Sequence, residues 1–580
     1  MALRFLLLVL LASFFRLLTL VEFLLEFALA LSLLFVICLL VAPGFGVAHV
    51  RGYHLGTATG LYRLAIGWHR VATLRRPRPQ GVGTQTLVMD LTAIEIDIGT
   101  RTPTVLLNGD DASELGVHPL DRVRIRHGDR TSTGIVEVTD ELVDAGTLGV
   151  TRPLGHIVGD VTVTIAARPN AVAALTKKLD DLELDRHEIE TIVRDISQDR
   201  LNDVELSAFV AGVYANGLSR EEISHLTSAM VDVGDTLEWD RAPIVDKHSI
   251  GGVAGNRVTP IVVSIVAAAG LTIPKTSSRA VTSAAGTADT MEVFCEVDFS
   301  LDEIADIVGE TNGCIVWGGA VRLSPVDDKI IRAETPLALD PPGQIIASVL
   351  SKKKSTGATT VVIDIPYGEG AKVESLSAAR EMAESFGRVG AGLGMEIDCT
   401  ITRGEQPIGR GIGPVLEARD VLAVLEGDGP TDLRVKAERL AQVLLDTTDT
   451  DATASEIVES GRALETFRTI VEAQNGDPDV STAELTPGPY SEAVAAPRSG
   501  VITHVDNRRM NELARRAGCP NDHRAGVDLR CRVGDEVADG DQLYTMYAQK
   551  REKLDQAVSF ADRGGAVRVL PPDEALIELV

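Results

Sequence analysis

The spacing of hydrophobic and polar residues changes several times along the chain, and each change predicts a different kind of domain. Residues 89–168 alternate short apolar runs with Gly, Asp and Asn turns, which predicts a small β-barrel or sandwich. Residues 169–240 change to the 3.6-residue period of amphipathic helices. Within them, Gly217 predicts the end of one helix, and Ser219 followed by Glu222 predicts a capping box at the start of the next.

A strand–loop–helix repeat follows and predicts a parallel or mixed sheet. It occupies residues 241–325 and 357–487, and 326–356 is predicted to return to the helical domain. In such sheets, sites lie at the carboxyl ends of the strands. Residues 488–580 contain short strands, and their VGD and ADGD turns predict a hairpin-rich, barrel-like α+β domain. The predicted class is a multidomain α/β protein with a small β domain first and a C-terminal α+β domain last.

The first 88 residues differ from the rest in composition. Residues 1–43 are an apolar run with a few charges, and 44–88 contain six arginines and no acidic residue. This segment carries a net charge of +6, which leaves −33 on the other 492 residues. It is either a membrane anchor or signal, or a stretch translated ahead of a true start at Met89. We favour the second, because no clear small-residue cleavage site follows and Met89 opens an orderly domain. No membrane contact is expected for 89–580.

The overall charge excludes one class of partner. Asp and Glu number 83 against 56 Lys and Arg, whereas a nucleic-acid-binding protein needs a basic surface. The scattered acidic residues are typical of a surface kept hydrated in a salt-rich cytoplasm, so a cytoplasmic, halophilic protein is predicted.

The six cysteines form no CxxC pair, which predicts reduced thiols. No metal-ligand pattern is present, and we expect neither a metal nor a cofactor.

The candidate chemistry is concentrated in two loops that flank one apolar segment, 258–273. In the first loop, Lys247, His248 and Ser249 lie directly before a diglycine, and this combination suits a dianion such as phosphate. Alone it is equally typical of a surface loop with a partly buried histidine. The second loop repeats the hydroxyl, glycine and cation theme one strand later: Ser277, Ser278, Arg279, Thr282, Ser283 and Thr287.

Four more candidates come from later segments. Ser348 and Lys352 are spaced i, i+4 and should share one face of a helix. Asp340 is predicted to be the N-cap of that helix, ahead of Pro341. Lys372 follows a Gly-Glu-Gly-Ala loop, which is compatible with a solvated turn or with a bound phosphate.

These motifs resemble one known family. K-H-S-x-G-G at 247–252, S-S-R-A-V-T-S-A-A-G-T-A-D-T-M-E at 277–292 and A-S-V-L-S-K-K at 347–353 are similar to the thymidine/pyrimidine-nucleoside phosphorylases, and the second is specific. The whole of 89–580 resembles the archaeal AMP phosphorylase branch of that family. Residues 1–88 resemble nothing in it.

The resemblance implies phosphorolysis of AMP, and of related nucleotides such as CMP and UMP, by inorganic phosphate. The products would be the free base and ribose 1,5-bisphosphate, and a homodimer or larger homo-oligomer is expected. Asp340 would donate a proton to the departing base. The implied substrate-binding residues are Gly252, Ser278, Arg279, Ala280, Val281, Thr282, Ser283, Thr287, Ser348 and Lys372. Lys247, His248, Ser249 and Lys352 are secondary candidates, and the role of His248 is left open.

Two departures from the pyrimidine-nucleoside pattern refine the expected substrate: the first means that base recognition must differ, and the second favours a 5′-phosphate. Ala333 stands where that branch has an arginine that reads the pyrimidine, and Lys372 stands where it has phenylalanine. A lysine there would suit a 5′-phosphate. The alternatives are a pyrimidine-nucleoside phosphorylase with an altered base pocket, a relative of anthranilate phosphoribosyltransferase, and a membrane-anchored binding protein without turnover.

Overall fold

The computed structural model describes residues 87–280, 283–447 and 450–574. The first domain is a closed barrel of six strands in the order β1-β5-β2-β4-β3-β6. Its elements are β1 (Val88–Ile96), β2 (Thr104–Leu107), α1 (Gly109–Leu115), β3 (Arg122–His127), β4 (Arg130–Val138), β5 (Thr147–Thr151) and β6 (Gly159–Ile165). The apolar residue of each alternating pair faces the interior, as Val105, Val123 and Leu148 show. Of the two folds predicted for residues 89–168, a barrel or a sandwich, the structure shows the barrel.

Four helices follow the barrel: α2 (Ala171–Leu179), α3 (Arg186–Ser197), α4 (Asp203–Asn216) and α5 (Arg220–Asp232). Their caps explain the boundaries. Gly217, at φ +66°, ends α4, and the backbone N–H of Glu222 donates to Ser219 while the Glu222 carboxylate accepts from the Ser219 N–H. Both cap predictions are confirmed.

The central domain is built around two small parallel sheets, and its strand β12 joins a sheet of the C-terminal domain. Its elements are β7 (Val245–Ser249), α6 (Val258–Ala268), β8 (Ile273–Ser277), α7 (Thr287–Met291), α8 (Leu301–Thr311), β9 (Gly313–Trp317), α9 (Pro325–Glu334), α10 (Pro342–Ser355), β10 (Thr360–Tyr367), α11 (Leu376–Gly392), β11 (Glu396–Arg403), β12 (Gly411–Ile412), α12 (Pro414–Glu426), α13 (Thr431–Asp446), α14 (Ala454–Glu459) and α15 (Arg462–Ala473). Helices α9 and α10 pack against α4 and α5. They extend the helical domain.

The order of the central strands creates a crevice. Strands β11, β10 and β7 form one parallel sheet, β8 and β9 form another, and a bridge between Ile244 and Thr272 joins the two. Chain order therefore reverses between β7 and β10. In open parallel sheets, ligands bind outside the carboxyl ends of the strands at such a reversal. The loops after β7 and β10 border this position.

The C-terminal domain contains two sheets, formed with β13 (Tyr490–Ala495), β14 (Gly500–Val505), α16 (Asn507–Ala517), β15 (Gly526–Leu529), β16 (Glu536–Val537), β17 (Gln542–Ala548), α17 (Arg551–Ala561) and β18 (Val567–Leu570). The strand orders are β12-β15-β17-β13 and β16-β14-β18. The hairpin prediction is wrong: the two-residue β16 pairs with β14, so the ADGD turn carries the chain from one sheet to the other. Within the described residues these sheets stay open, and the barrel-like description does not fit.

The multidomain α/β class is confirmed. No helix in the described part of the chain has both the length and the apolar character needed to cross a membrane. The predictions made for residues 1–86 lie outside the described residues.

Candidate active site

The loop after β7 touches the loop after β10 through glycine. Gly252 has a φ of +90°, and a Cβ there would lie 2.4 Å from the backbone nitrogen of Lys372. A side chain would therefore push the loops apart. This contact explains the need for glycine at Gly252, and it brings Lys372 to the crevice.

Lys247 lies beneath the first loop. Its Nζ is 2.6 Å from Ser249 Oγ and 3.2 Å from Thr259 Oγ1, and the residue is 1% exposed. Burial lowers the pKa of Lys247 to about 7, although the nearby Asp364 opposes that shift. The amine is therefore poised near neutral pH, where an arriving anion would favour its charged form.

Asp364, on β10, is buried beside Lys247 and contacts three other side chains. It accepts hydrogen bonds from Ser249 Oγ at 2.8 Å and Thr402 Oγ1 at 2.7 Å, and it pairs with Lys436 Nζ at 2.8 Å. Burial raises its pKa, but Lys436 and Lys247 outweigh that effect, so the pKa lies below its usual value. Sequence reasoning missed Asp364 and Lys436 because they come from distant segments without a local motif.

His248 has a neutral imidazole. Burial, followed by the positive charges of Lys353 and Lys275, lowers its pKa well below the usual value. These two lysines flank the buried Asp246, at 2.7 and 3.9 Å. The ring can accept or donate one hydrogen bond, and it carries no positive charge toward the crevice.

The second loop is described at 278–280 and 283–287, and these two parts, called the arch below, meet at one carboxylate. Asp289 Oδ2 accepts from the backbone N–H of Ala280 and of Gly286, both at 2.7 Å. A Cβ on Gly286 would lie 2.3 Å from the Ser278 carbonyl, so the arch closes only over glycine. Val281 and Thr282, two of the predicted binding residues, lie outside the described residues.

Arg257 links the two loops. It donates to Thr287 Oγ1 and to the Ala285 carbonyl, both at 2.9 Å, and to Glu417 Oε2 at 2.6 Å. The hydroxyl of Thr287, a predicted binding residue, is thus an acceptor for Arg257. Ser283 Oγ donates to the Ala285 carbonyl within the arch.

The side chain of Arg279 is directed into a carboxylate cluster. Its guanidinium pairs with Glu292 and lies 3.7 Å from Asp289 and 3.6 Å from Asp298. It also stacks 4.5 Å from the Trp317 ring centroid. The hydrogen bond to Glu292 raises the pKa of Arg279. The charge of Arg279 is therefore neutralised within this cluster.

One face of α10 meets α9 at a buried carboxylate. Asp327 Oδ2 accepts from Ser348 Oγ at 2.8 Å and pairs with Lys352 Nζ at 2.5 Å. The predicted shared face of Ser348 and Lys352 is therefore confirmed. Burial alone would lower the pKa of Lys352, but Asp327 outweighs it and the pKa is raised.

Asp340 is not a helix N-cap. Pro341 occupies the cap position, because Pro342 starts α10, and no side chain caps the helix. The Asp340 carboxylate instead accepts a hydrogen bond from Lys372 Nζ at 2.6 Å. The structure therefore brings together the predicted proton donor and the predicted 5′-phosphate ligand, and it pairs them with each other.

Two buried polar side chains near this pair were missed by sequence reasoning. Glu334, at the end of α9, is 9% exposed, and its Oε1 has no hydrogen-bond partner. Burial raises the pKa of Glu334 to about 7. Gln344, one turn before Ser348, is 3% exposed, and both its amide oxygen and nitrogen are without partners. A clue to Glu334 in the sequence was its position directly after Ala333, which stands where the pyrimidine-nucleoside branch has an arginine.

Helix α16 of the C-terminal domain accepts hydrogen bonds from the loop after β7 and from the loop after β8. Asn507 Oδ1 accepts from the Ala254 N–H, and Asn511 Oδ1 accepts from the Ala284 N–H, each at 3.0 Å. The C-terminal domain therefore supports the site although none of its residues was predicted for it. In the described ranges, no group of His, Cys, Asp and Glu side chains is arranged to hold a metal ion.

Comparison with known proteins matches the domains in order. Residues 172–234 match the glycosyl transferase family helical bundle domain, 241–434 match its a/b domain, and 501–565 match the pyrimidine nucleoside phosphorylase C-terminal domain. An AMP phosphorylase from Natronomonas pharaonis is 58% identical over 498 residues, which cover 84% of this chain and 100% of that protein. The chain belongs to the AMP phosphorylase family.

Other members of the AMP phosphorylase family are also similar. The AMP phosphorylase of Thermococcus kodakarensis is 45% identical, covering 82% of this chain and 96% of that protein. The one of Methanosarcina barkeri is 44% identical, covering 80% and 94%. The resemblance found in the sequence motifs is confirmed, and the pyrimidine-nucleoside alternative is not favoured.

Proposed function

We propose that this protein catalyses the phosphorolysis of AMP. Inorganic phosphate replaces adenine at C1′ of the ribose, and the products are adenine and ribose 1,5-bisphosphate. The observation that carries the proposal is the meeting of two loops at Gly252, with a cation at each. Lys247 lies behind the first loop and Lys372 lies in the second, and the reaction uses two phosphates. The relatives named AMP phosphorylase support the same substrate.

The residues divide between the two phosphates. Lys247, Ser249, Gly252 and the backbone of the 278–287 arch would hold the attacking phosphate, because small residues expose N–H groups to an anion. Lys372 would bind the 5′-phosphate, for which it must leave Asp340. A charge-assisted hydrogen bond of this kind is among the stronger ones in proteins.

We place the nucleobase of AMP at the end of the crevice next to α9 and α10, which is called the base end below. Ser348 and Lys352 face it from α10, and Asp340 would donate a proton to the departing adenine. Cleavage of the N-glycosidic bond builds positive charge on the ribose, as in other glycosyl transfers. The attacking phosphate beneath C1′ would stabilise that charge, and water must be excluded because hydrolysis would compete. No cofactor is needed for these steps.

Two wider expectations belong to this proposal. A cytoplasmic location remains a prediction from the charge of the chain, and a homodimer or larger assembly remains a prediction from the family resemblance. Other nucleoside 5′-monophosphates such as CMP and UMP would enter the same phosphate subsites, so selection among them must come from the base end.

A phosphate-dependence assay tests the proposed reaction. The purified full chain is given AMP, CMP, UMP, adenosine and thymidine, each with and without inorganic phosphate, and released base is measured by chromatography. We expect adenine from AMP only when phosphate is present. Adenine from adenosine but not from AMP would contradict the proposal. Thymine from thymidine would favour the nucleoside alternative, and release of no base would favour a binding protein.

A further inference from the structure

A buried chain of contacts leads from helix α13 to Lys247. Lys436 Nζ on α13 pairs with Asp364 at 2.8 Å, and Asp364 accepts a hydrogen bond from Ser249 Oγ at 2.8 Å. Ser249 Oγ in turn lies 2.6 Å from Lys247 Nζ. Thr402 Oγ1 is a third donor to Asp364, at 2.7 Å. Side chains from β7, β10, β11 and α13 therefore meet at one carboxylate.

Two lysines share this single carboxylate. Lys436 pairs with Asp364 directly. Lys247 forms no ion pair within the described residues, and it reaches Asp364 only through Ser249. Lys247 is also 1% exposed, so it has little contact with water. A buried ammonium without a paired anion is costly. The arrangement therefore leaves one positive charge to be matched by an anion.

The other cations that act on Lys247 already have carboxylates of their own. Arg257, directly before α6, pairs with Glu417 at 2.6 Å. Lys353, on α10, pairs with Asp246 at 2.7 Å. Neither of these acidic partners is left to neutralise Lys247, so Asp364 is the carboxylate that decides its state.

We propose that Lys436 is a positioning residue for the attacking phosphate. By occupying Asp364, Lys436 keeps that carboxylate from capturing Lys247, and the Lys247 ammonium is left to bind inorganic phosphate. The inference rests on the proposed function, since it deepens the role given there to Lys247. Lys436 acts through Asp364 and does not itself bind the phosphate.

The two members of the pair act on Lys247 in opposite directions. The negative charge of Asp364 raises the pKa of Lys247, and the positive charge of Lys436 lowers it. Without Lys436, Asp364 holds Lys247 as its own ion pair, so the amine stays charged to higher pH but phosphate must compete for it. Without Asp364, Lys247 faces Lys436 unopposed and loses its proton at lower pH. A merely structural ion pair would produce neither shift.

The test is the binding of inorganic phosphate to three variants of the full chain: Lys436→Met, Asp364→Asn and the double variant. The Kd for phosphate is measured by calorimetry at pH 6.5 and 8.5 in the absence of AMP. At pH 6.5, the Kd should rise about tenfold in each single variant. The double variant should return to within about threefold of the wild type, because Lys247 then has neither a competing carboxylate nor a repelling ammonium beside it.

The pH dependence separates the two single variants. The wild-type Kd should rise about 25-fold from pH 6.5 to 8.5, as expected for an amine with a pKa of about 7. This rise should shrink to about fivefold or less in Lys436→Met, because the pKa of Lys247 moves up. It should exceed about 50-fold in Asp364→Asn, because that pKa moves down.

Arg434→Met is the matched control on the same helix. It removes a cation of α13 whose partners are Glu438, at 2.6 Å, and Glu459, at 3.0 Å, and it should keep the wild-type Kd and pH dependence. Lys436→Arg preserves the charge that occupies Asp364, so it should also stay close to the wild type.

Additive weakening in the double variant, or one pH dependence shared by all three variants, would overturn the inference. Folding of each variant is checked by its Tm, because removing one partner of a buried ion pair is strongly destabilising. The double variant leaves neither charge unpaired, so it decides the matter where a single variant does not fold: a Kd that is tenfold weaker in the double variant contradicts the inference. Wild-type enzyme that binds phosphate but releases no adenine from AMP would instead contradict the proposed function.

Discussion

Lys372 pairs with Asp340 in the structure and is proposed to bind the substrate 5′-phosphate. If both roles hold, Lys372→Ala removes a charge-assisted hydrogen bond to AMP and none to adenosine. Such bonds contribute about 1.5–3 kcal/mol, so kcat/KM for AMP should fall by roughly 10- to 150-fold relative to adenosine. Steady-state assays on both substrates measure this ratio. Lys354→Ala on α10 is the control, and equal losses on AMP and adenosine would rule out the phosphate role.

Lys247 is proposed to hold the attacking phosphate, and this role would make phosphate binding depend on pH. Burial lowers its pKa to about 7, so the ammonium form that attracts phosphate is lost as pH rises above that value. With a pKa of about 7, the charged fraction of Lys247 falls about 25-fold between pH 6.5 and pH 8.5, so the KM for phosphate should rise by about that factor. Lys247→Met should raise KM at both pH values and flatten the difference. Phosphate ionises equally in both assays, so an unchanged slope in the variant would exclude Lys247 as its source.

Sequence reasoning identified candidate site residues better than it identified the side chains with which they pair. Ser348 and Lys352 could be placed on one face from their spacing, because helical geometry is local. Asp327, which binds both, lies twenty-one residues before Ser348 and has no motif. The N-cap prediction for Asp340 failed because two consecutive prolines moved the cap to Pro341. Side-chain pairing across elements depends on tertiary structure.

At the scale of elements, the periodic segments were predicted and the contacts between domains were not. The alternation of 89–168 and the helical period of 169–240 each report one buried face, which the sequence shows directly. Helix α16 shows a contact between domains that the sequence does not predict. Its residues Asn507 and Asn511 point to loops more than 200 positions earlier in the chain. Nothing in the local sequence indicates that a C-terminal helix would brace the central site.

This bracing predicts an effect of Asn511→Ala on substrate binding. The variant removes the acceptor for the Ala284 N–H, which loosens the arch at 283–287, and an unmade buried hydrogen bond costs about 1–3 kcal/mol. We expect KM for phosphate to rise about tenfold and amide exchange at 283–286 to accelerate. The control is Glu512→Ala, which removes an exposed pair with Arg516 on the same helix. Unchanged exchange in Asn511→Ala would show that the arch holds its shape without α16.

At the scale of the molecule, the dominant property is negative charge. The chain carries a formal −27, and an excess of like charge destabilises the compact state by self-repulsion. Salt weakens this repulsion, because the screening length falls from about 10 Å at 0.1 M to about 3 Å at 1 M.

Raising KCl from 0.1 to 2 M should therefore increase the Tm of the full chain by about 5 °C or more, as measured by scanning fluorimetry. A variant that neutralises three exposed carboxylates, Glu114→Gln, Glu310→Gln and Glu472→Gln, separates charge screening from general salt effects. This variant should have a higher Tm than the wild type at 0.1 M KCl, because removing the charges reduces repulsion. At 2 M KCl the two Tm values should be equal, because the salt already screens that repulsion in the wild type. A Tm that rises equally in both proteins would show that the salt acts by exclusion from the surface and not by screening.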